Sequence, residues 1–200
     1  IASYSSRGPT RGFVTDADGV RHYDNIIKPD LVAPGNKLIG ESSSGSNSSS
    51  NVRNNILKAY PNLFAGMDDR SGRRLMYMSG TSVAAPSVTG AAALLLQVNP
   101  RLTPALVKAL LMYSAQPLAG ANMFEQGAGE LNVDGAVRLA LLMKSTLPST
   151  AGETMVTGAV PTPKSTIAGE SFVWAQGVIT NWGFLTGSDL VSKWQPMYAT

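Results

Sequence analysis

Met78-Ser79-Gly80-Thr81-Ser82-Val83-Ala84-Ala85-Pro86-Ser87-Val88-Thr89-Gly90-Ala91-Ala92-Ala93-Leu94-Leu95-Leu96 is the stretch on which the reading of this chain turns. A small hydroxyl-bearing turn, Gly80-Thr81-Ser82, runs straight into an almost uninterrupted apolar helix. Thr81 or Ser82 is expected to cap that helix, since a side-chain oxygen accepts from the unpaired N–H groups of a first turn. Pro86 falls close enough to the start that its missing donor does limited harm. Ala84, Val88, Ala91 and Leu95 share one face while Leu94, Leu96 and Val98 fill the others, the pattern of a buried helix. The backbone N–H of Ser82 and the positive end of the helix dipole face whatever approaches its oxygen. Such features stabilise an oxyanion forming beside a nucleophile. Ser82 therefore has two readings, helix cap or nucleophile. The small residues Ala84, Ala85, Ser87 and Gly90 favour the second, because they let a backbone or a substrate come close.

Composition narrows the field. Two hundred residues suffice for one domain with a real core, or a domain with an appendage. A hydrophobic share of 44% against 14% charged residues is that of a globular chain. The net charge of +3 comes without any Lys/Arg-rich run, so no nucleic-acid partner is expected. Cysteine is absent, which excludes disulfides and thiolate metal sites. No apolar stretch is judged to approach the length of a bilayer-spanning helix, so no membrane span is expected. The sequence opens at Ile1 without an initiating Met or a signal peptide, and reads as a piece of a longer precursor.

Outward from the central stretch, Ile1-Ala2-Ser3-Tyr4-Ser5-Ser6 alternates like a strand and breaks at Arg7-Gly8-Pro9. Phe13-Val14-Thr15 and Val20-Arg21-His22-Tyr23 flank Asp16-Ala17-Asp18-Gly19, a hairpin with Asp-Gly in its turn. A calcium loop starting at Asp16 and Asp18 is the alternative, without the later ligands of that motif. His22, the only histidine, has no acid partner apparent from spacing, which argues against a catalytic role. Lys28-Pro29-Asp30-Leu31-Val32-Ala33-Pro34-Gly35 encloses a short strand between prolines, and Lys37-Leu38-Ile39 reads as another. Residues 42–50 form a Ser/Gly/Asn run expected to be mobile. Val52, Ile56, Leu57 and Tyr60 have helical spacing. Asp68, Asp69, Arg70, Arg73 and Arg74 read as a solvated charged face.

Asn99 and Pro100 end the central helix, and Thr103-Pro104 starts another with Leu106, Leu110 and Tyr113 toward the core. Gly127-Ala128-Gly129-Glu130-Leu131-Asn132 lacks the third glycine of a dinucleotide fingerprint. It reads as a turn before a last helix over residues 133–143, capped by Asn132, with Val137 and Leu141 inward. Residues 145–150 form a linker, and short β-prone runs follow. Trp174, Trp182 and Trp194 all fall there, as a binding platform or as the packing of a small β element.

The central stretch resembles the nucleophile signature of the subtilisin-like serine proteases, Gly-Thr-Ser-x-Ala-x-Pro-x-Val-x-Gly, with Gly80, Thr81, Ser82, Ala84, Pro86, Val88 and Gly90 matching. Ser5-Ser6-Arg7-Gly8-Pro9 and Lys28 to Gly35 before it, then Thr103-Pro104-x-x-Val107-Lys108 and the glycine turn after it, resemble further family phrases in the family's order. The likeness spans roughly residues 1–144, less an insertion at 41–75, and leaves a linker and β-rich extension at 145–200. It implies the C-terminal part of an α/β fold, with a mostly parallel three-layer sheet between helices. It also implies peptide-bond hydrolysis through an acyl-enzyme on Ser82, with an Asp, a His and an oxyanion Asn contributed by segments upstream of Ile1. The Ser82 N–H would share the oxyanion, and Met78, Ser79, Gly80 and Thr81 would lie beside the substrate.

Protein or peptide substrates, the upstream part of the same catalytic domain as partner, and a secreted location are further implications. No metal ligand is identified, and structural calcium is left open as the family's only expected cofactor. By itself the chain is expected to be inactive, because a serine without its base is a weak nucleophile. The alternatives are a pseudoprotease or scaffold in which Ser82 only caps a helix, and an adhesive or export module at 145–200 carried by the protease part. The sequence contains neither a Gly-x-Ser-x-Gly elbow nor a Ser-x-x-Lys pair.

Overall fold

The computed structural model describes residues 1–42, 54–68, 73–148, 150 and 152–190. The expectations for 43–50, Val52, Asp69, Arg70 and Trp194 lie outside them. The chain divides into two compact units, Pro34–Pro86 and Ile1–Ala33 with Ser87–Thr200.

The smaller unit is built on a three-stranded antiparallel sheet in the order β3-β5-β4, formed by β3 (Leu38–Glu41), β4 (Phe64–Met67) and β5 (Arg74–Met78). Before β4 the chain makes a short helix, α1 (Asn55–Ala59), and a 3-10 turn, Pro61–Leu63. Asn54 caps α1, its Oδ1 accepting from the Ile56 N–H at 2.9 Å. Among the described residues of this unit, Leu57 of α1 and Met76 of β5 are the buried apolar ones. The insertion helix is thus where the spacing of Ile56 and Leu57 placed it. β4 and β5 were not anticipated, since β5 reads Arg-Leu-Met-Tyr-Met with no β-branched residue. Cross-strand pairing on both sides holds it extended, with Leu38 opposite Met78 and Phe64 opposite Met76.

In the larger unit the hairpin of β1 (Phe13–Thr15) and β2 (Arg21–Tyr23) forms as its turn chemistry predicts, with Gly19 at φ 80°. Residues 1–6 are not a strand: Ser5 N–H turns back to the Ala2 carbonyl at 3.0 Å. The short polar side chains there supply no face to bury. The core forms between α3 (Pro104–Ser114) and α5 (Val133–Leu142), reinforced by part of α2 (Thr81–Val98). The four-residue helix α4 (Met123–Gln126) precedes the glycine turn. Thr103 and Asn132 cap α3 and α5, accepting from Leu106 N and Gly135 N at 3.2 Å each. Leu95, Leu106, Met112, Ala136 and Val178 are almost fully enclosed. Each large apolar side chain so buried contributes about 1.5–3 kcal/mol.

The hairpins β6 (Lys164–Ile167) with β7 (Glu170–Val173), and β8 (Gly177–Ile179) with β9 (Phe184–Thr186), lie on the same core. Trp174 is 2% exposed and donates from Nε1 to Ser165 Oγ at 3.0 Å. Ala175 and Gln176 donate their N–H groups to Ala115 O and Tyr113 O at the end of α3. Burial is therefore the use of Trp174, whereas Trp182 is 70% exposed and bonds through Nε1 to Asp24 O.

The described residues do not form a mostly parallel sheet, and three other expectations need correction. Among the described residues every strand pair is antiparallel, and parallel geometry is confined to one bridge between Val32 and Glu130. Leu141 is 60% exposed, because Ala136, Leu139 and Ala140 form the inward stripe of α5. The central helix α2 is not enclosed: only Ala91 and Leu95 are buried, and Leu94 and Leu96 are 45% and 42% exposed. At 18 residues and a mean hydropathy of 1.4, α2 is also long and apolar enough to cross a membrane. Its Ser, Thr and Gly residues hide that run from inspection. Ala91 and Leu95 join the core of the larger unit.

Candidate active site

Gly80 N–H donates to the Gly35 carbonyl at 2.8 Å, which brings the end of β5 against the Pro34-Gly35 backbone. A Cβ on Gly35 would stand 2.7 Å from Gly80 O and 2.9 Å from Ala84 Cβ, so position 35 has no room for a side chain. Ser79 Oγ accepts from Lys37 N–H at 2.9 Å and donates to Asn36 Oδ1 at 3.2 Å. Asn36 and Lys37 thus hold the Ser79 side chain, a pair of contacts that sequence reasoning missed. Their one signal was their place directly after Pro34-Gly35.

Gly80, and neither Thr81 nor Ser82, takes the cap position of α2. Its carbonyl accepts from Val83 N–H at 3.0 Å and Ala84 N–H at 3.2 Å. Thr81 and Ser82 fall inside the first turn instead, both exposed. The N–H of Ser82 belongs to the set that a helix leaves without an internal partner, and no acidic residue in that turn neutralises the dipole. Gly80 has φ 154°, and a Cβ there would crowd Ser82 Oγ at 3.3 Å. Glycine keeps the space beside that oxygen open. Met78 and Ser79 line a cleft of about 830 Å³ beside the turn, together with Val83.

His22 lies in the larger unit and does have an acid partner, contrary to its sequence reading. Its Nε2 is 2.6 Å from Asp16 Oδ2 across the hairpin turn. The hydrogen bond from His22, then that from Val20 N–H, holds the Asp16 carboxyl below the usual carboxylate range. Asp16 Oδ1 also accepts from Asp18 N–H and Val20 N–H. These oxygens accept within their own hairpin turn. Among the described residues there is no group of three or more carboxylate or imidazole side chains that could hold a metal.

Asp30 ties the Lys28-Pro29-Asp30 phrase to α3, with Lys28 Nζ at 2.6 Å and Lys108 Nζ at 2.9 Å. Burial raises its pKa, but the hydrogen bonds and charges of the two lysines outweigh that, so the net direction is down. Asp30 O accepts from Ala128 N–H at 2.9 Å, and Gly127 leaves no room for a side chain against Asp30.

A profile described as Peptidase_S8, subtilase family, matches residues 1–132. Serine protease AprX of Bacillus subtilis (strain 168) is 34% identical over 137 residues, 68% of this chain and 25% of its own length. Subtilisin-like protease SBT4.3 of Arabidopsis thaliana is 32% identical over 136 residues, 66% of this chain and 16% of its own. Subtilisin-like protease SBT2.1 of the same plant is 38% identical over 118 residues, 58% of this chain and 11% of its own. The chain therefore corresponds to a quarter or less of each of these proteins.

Proposed function

Because the chain belongs to the subtilase family of serine proteases, we propose that it is the nucleophile-bearing part of a secreted serine endopeptidase. Ser82 Oγ attacks the scissile carbonyl carbon, and a histidine from the upstream part of the same catalytic domain takes the hydroxyl proton. That histidine, oriented by an upstream Asp, returns the proton to the leaving amine, and water then releases the acyl group. The Ser82 N–H and an upstream Asn amide hold the oxyanion. Donors aimed at developing charge are worth several kcal/mol each in such sites, about 2.7–4 by mutation.

One observation carries the assignment. Ser82 is exposed in the first turn of α2, beside space that only glycine at position 80 leaves open. Gly80 at the cap position counts against the competing reading, in which Ser82 is retained as a cap. The upstream part of the domain is the proposed cover for the exposed flank of α2 at Leu94, Leu96 and Val98. The mostly parallel three-layer sheet belongs to that complete domain. Residues 1–144, with the insertion at 41–75, are its C-terminal part, and 145–200 its β-rich extension. No cofactor enters the reaction, no residue is assigned to calcium, and neither nucleic acid nor a membrane span is part of the reading.

The test is a serine-directed phosphonylating reagent applied to the full-length protein. It should label Ser82 once and leave Ser82→Ala unlabelled, and the 200-residue chain alone should show no turnover. Labelling of another serine, or full activity in Ser82→Ala, would overturn the assignment.

A further inference from the structure

The cleft beside the Ser82 turn has walls of two origins. Met76, Met78 and Val83 come from β5 and the start of α2, and Ile56 and Leu63 come from the insertion. The insertion wall is held in place. Asn54 caps α1 and reaches Met76 Sδ through Nδ2 at 3.6 Å, while Leu57 is buried beneath. Pro61 at the start of the 3-10 turn fixes the approach to Leu63. Ile56 is nevertheless 53% exposed, an apolar side chain presented to solvent by a capped helix. Among the described residues Lys37 is the only charged one lining the cleft. Its backbone is fixed, since its N–H bonds Ser79 Oγ in the turn that carries the nucleophile.

An apolar hollow adjoining a nucleophile, with one cation in its lining, suits a large uncharged side chain and repels a basic one. We infer that this cleft receives a large apolar, non-basic side chain of the substrate peptide close to the scissile bond, and that Ile56 and Leu63 set that preference. The inference rests on Ser82 being the nucleophile. It goes beyond that reading by giving the insertion a role in substrate choice.

The test uses the full-length protein and peptides that differ at one position, Leu, Gly or Lys, moved in turn over three positions on each side of the cleaved bond. At one position kcat/KM should rank Leu above Gly and Gly above Lys. Ile56→Asp should cut the Leu-to-Gly ratio there by about 10-fold or more, and Leu63→Ala by less. Ile167→Asp, on the exposed β6–β7 hairpin, serves as the control and should leave the ratio unchanged. An unaltered ratio in Ile56→Asp at every position, or an equal fall in the control, overturns the inference.

A second arm measures anisotropy of labelled, uncleaved peptides on Ser82→Ala, with and without Ile56→Asp. If the unmodified protein hydrolyses nothing, the proteolytic reading has failed, and this arm still decides the cleft. A Leu preference abolished by Ile56→Asp sustains the cleft as a peptide site, and no preference overturns it.

Discussion

α2 and α3 are both apolar helices introduced by small hydroxyl residues, and they end in opposite situations. α3 buries six of its eleven residues, while α2 buries two of eighteen. α3 is capped by Thr103 and exists to be packed against. α2 is capped by a glycine backbone, leaves Ser82 in the open and keeps small residues around it. Similar hydropathy therefore serves a buried scaffold in one helix and an exposed, hydroxyl-bearing first turn in the other. What separates them is the surface each is given to meet.

The sharpest way to break this contrast is at Ser82. In the full-length protein Ser82→Ala should lower kcat at least about 10³-fold with little change in Tm. The residual reported for a subtilisin stripped of its triad, roughly 10³–10⁴-fold over water, sets the floor. Next comes burial. Leu106→Ala in α3 should cost about 2–5 kcal/mol in denaturant unfolding, whereas Leu94→Ala on the exposed flank of α2 in this chain should cost well under about 1 kcal/mol. An equal loss at both positions would show that the flank of α2 is covered.

The caps give a smaller contrast. Thr103→Ala should destabilise by about 1 kcal/mol, and Thr81→Ala by only a few tenths, because Gly80 already holds the cap position. The smallest effect concerns Asp30, whose folded pKa is depressed below its ordinary 3.8. Its stabilisation is therefore present above that value and lost as pH falls through the folded pKa. Asp30→Asn should lower Tm at neutral pH by the equivalent of about 1 kcal/mol or less, since the group is part-exposed. The difference should close in acid. A gap that persists at pH 2 would assign the loss to packing.

Legibility in the sequence followed the range of the forces involved. α3, its Thr103-Pro104 start, the Asn132 cap and the Asp-Gly hairpin are local matters, and each was readable from neighbouring residues. So was the string around Ser82. The exposure of α2 was not, because periodicity names the faces of a helix without saying which surface covers them. β5 escaped because its methionines are held extended by partners on both sides. The Asp16–His22 contact escaped because pairing across a turn aligns residues that spacing alone does not. The hold of Gly35 on Gly80 could be seen only as two phrases in order, since a main-chain bond leaves no mark in side-chain chemistry.

That bond has a consequence for how the protein can diverge. The excursion from Gly35 out to Gly80 leaves and returns through one neck, closed by a main-chain hydrogen bond of 2.8 Å and continued by the pairing of Leu38 with Met78. The neck ties the turn that carries Ser82 directly to the Pro34-Gly35 backbone. The excursion found here carries its own helix and strands, α1, β4 and β5. Under the proposed function, changes within the excursion would alter which peptide is held and leave the neck beside Ser82 in place.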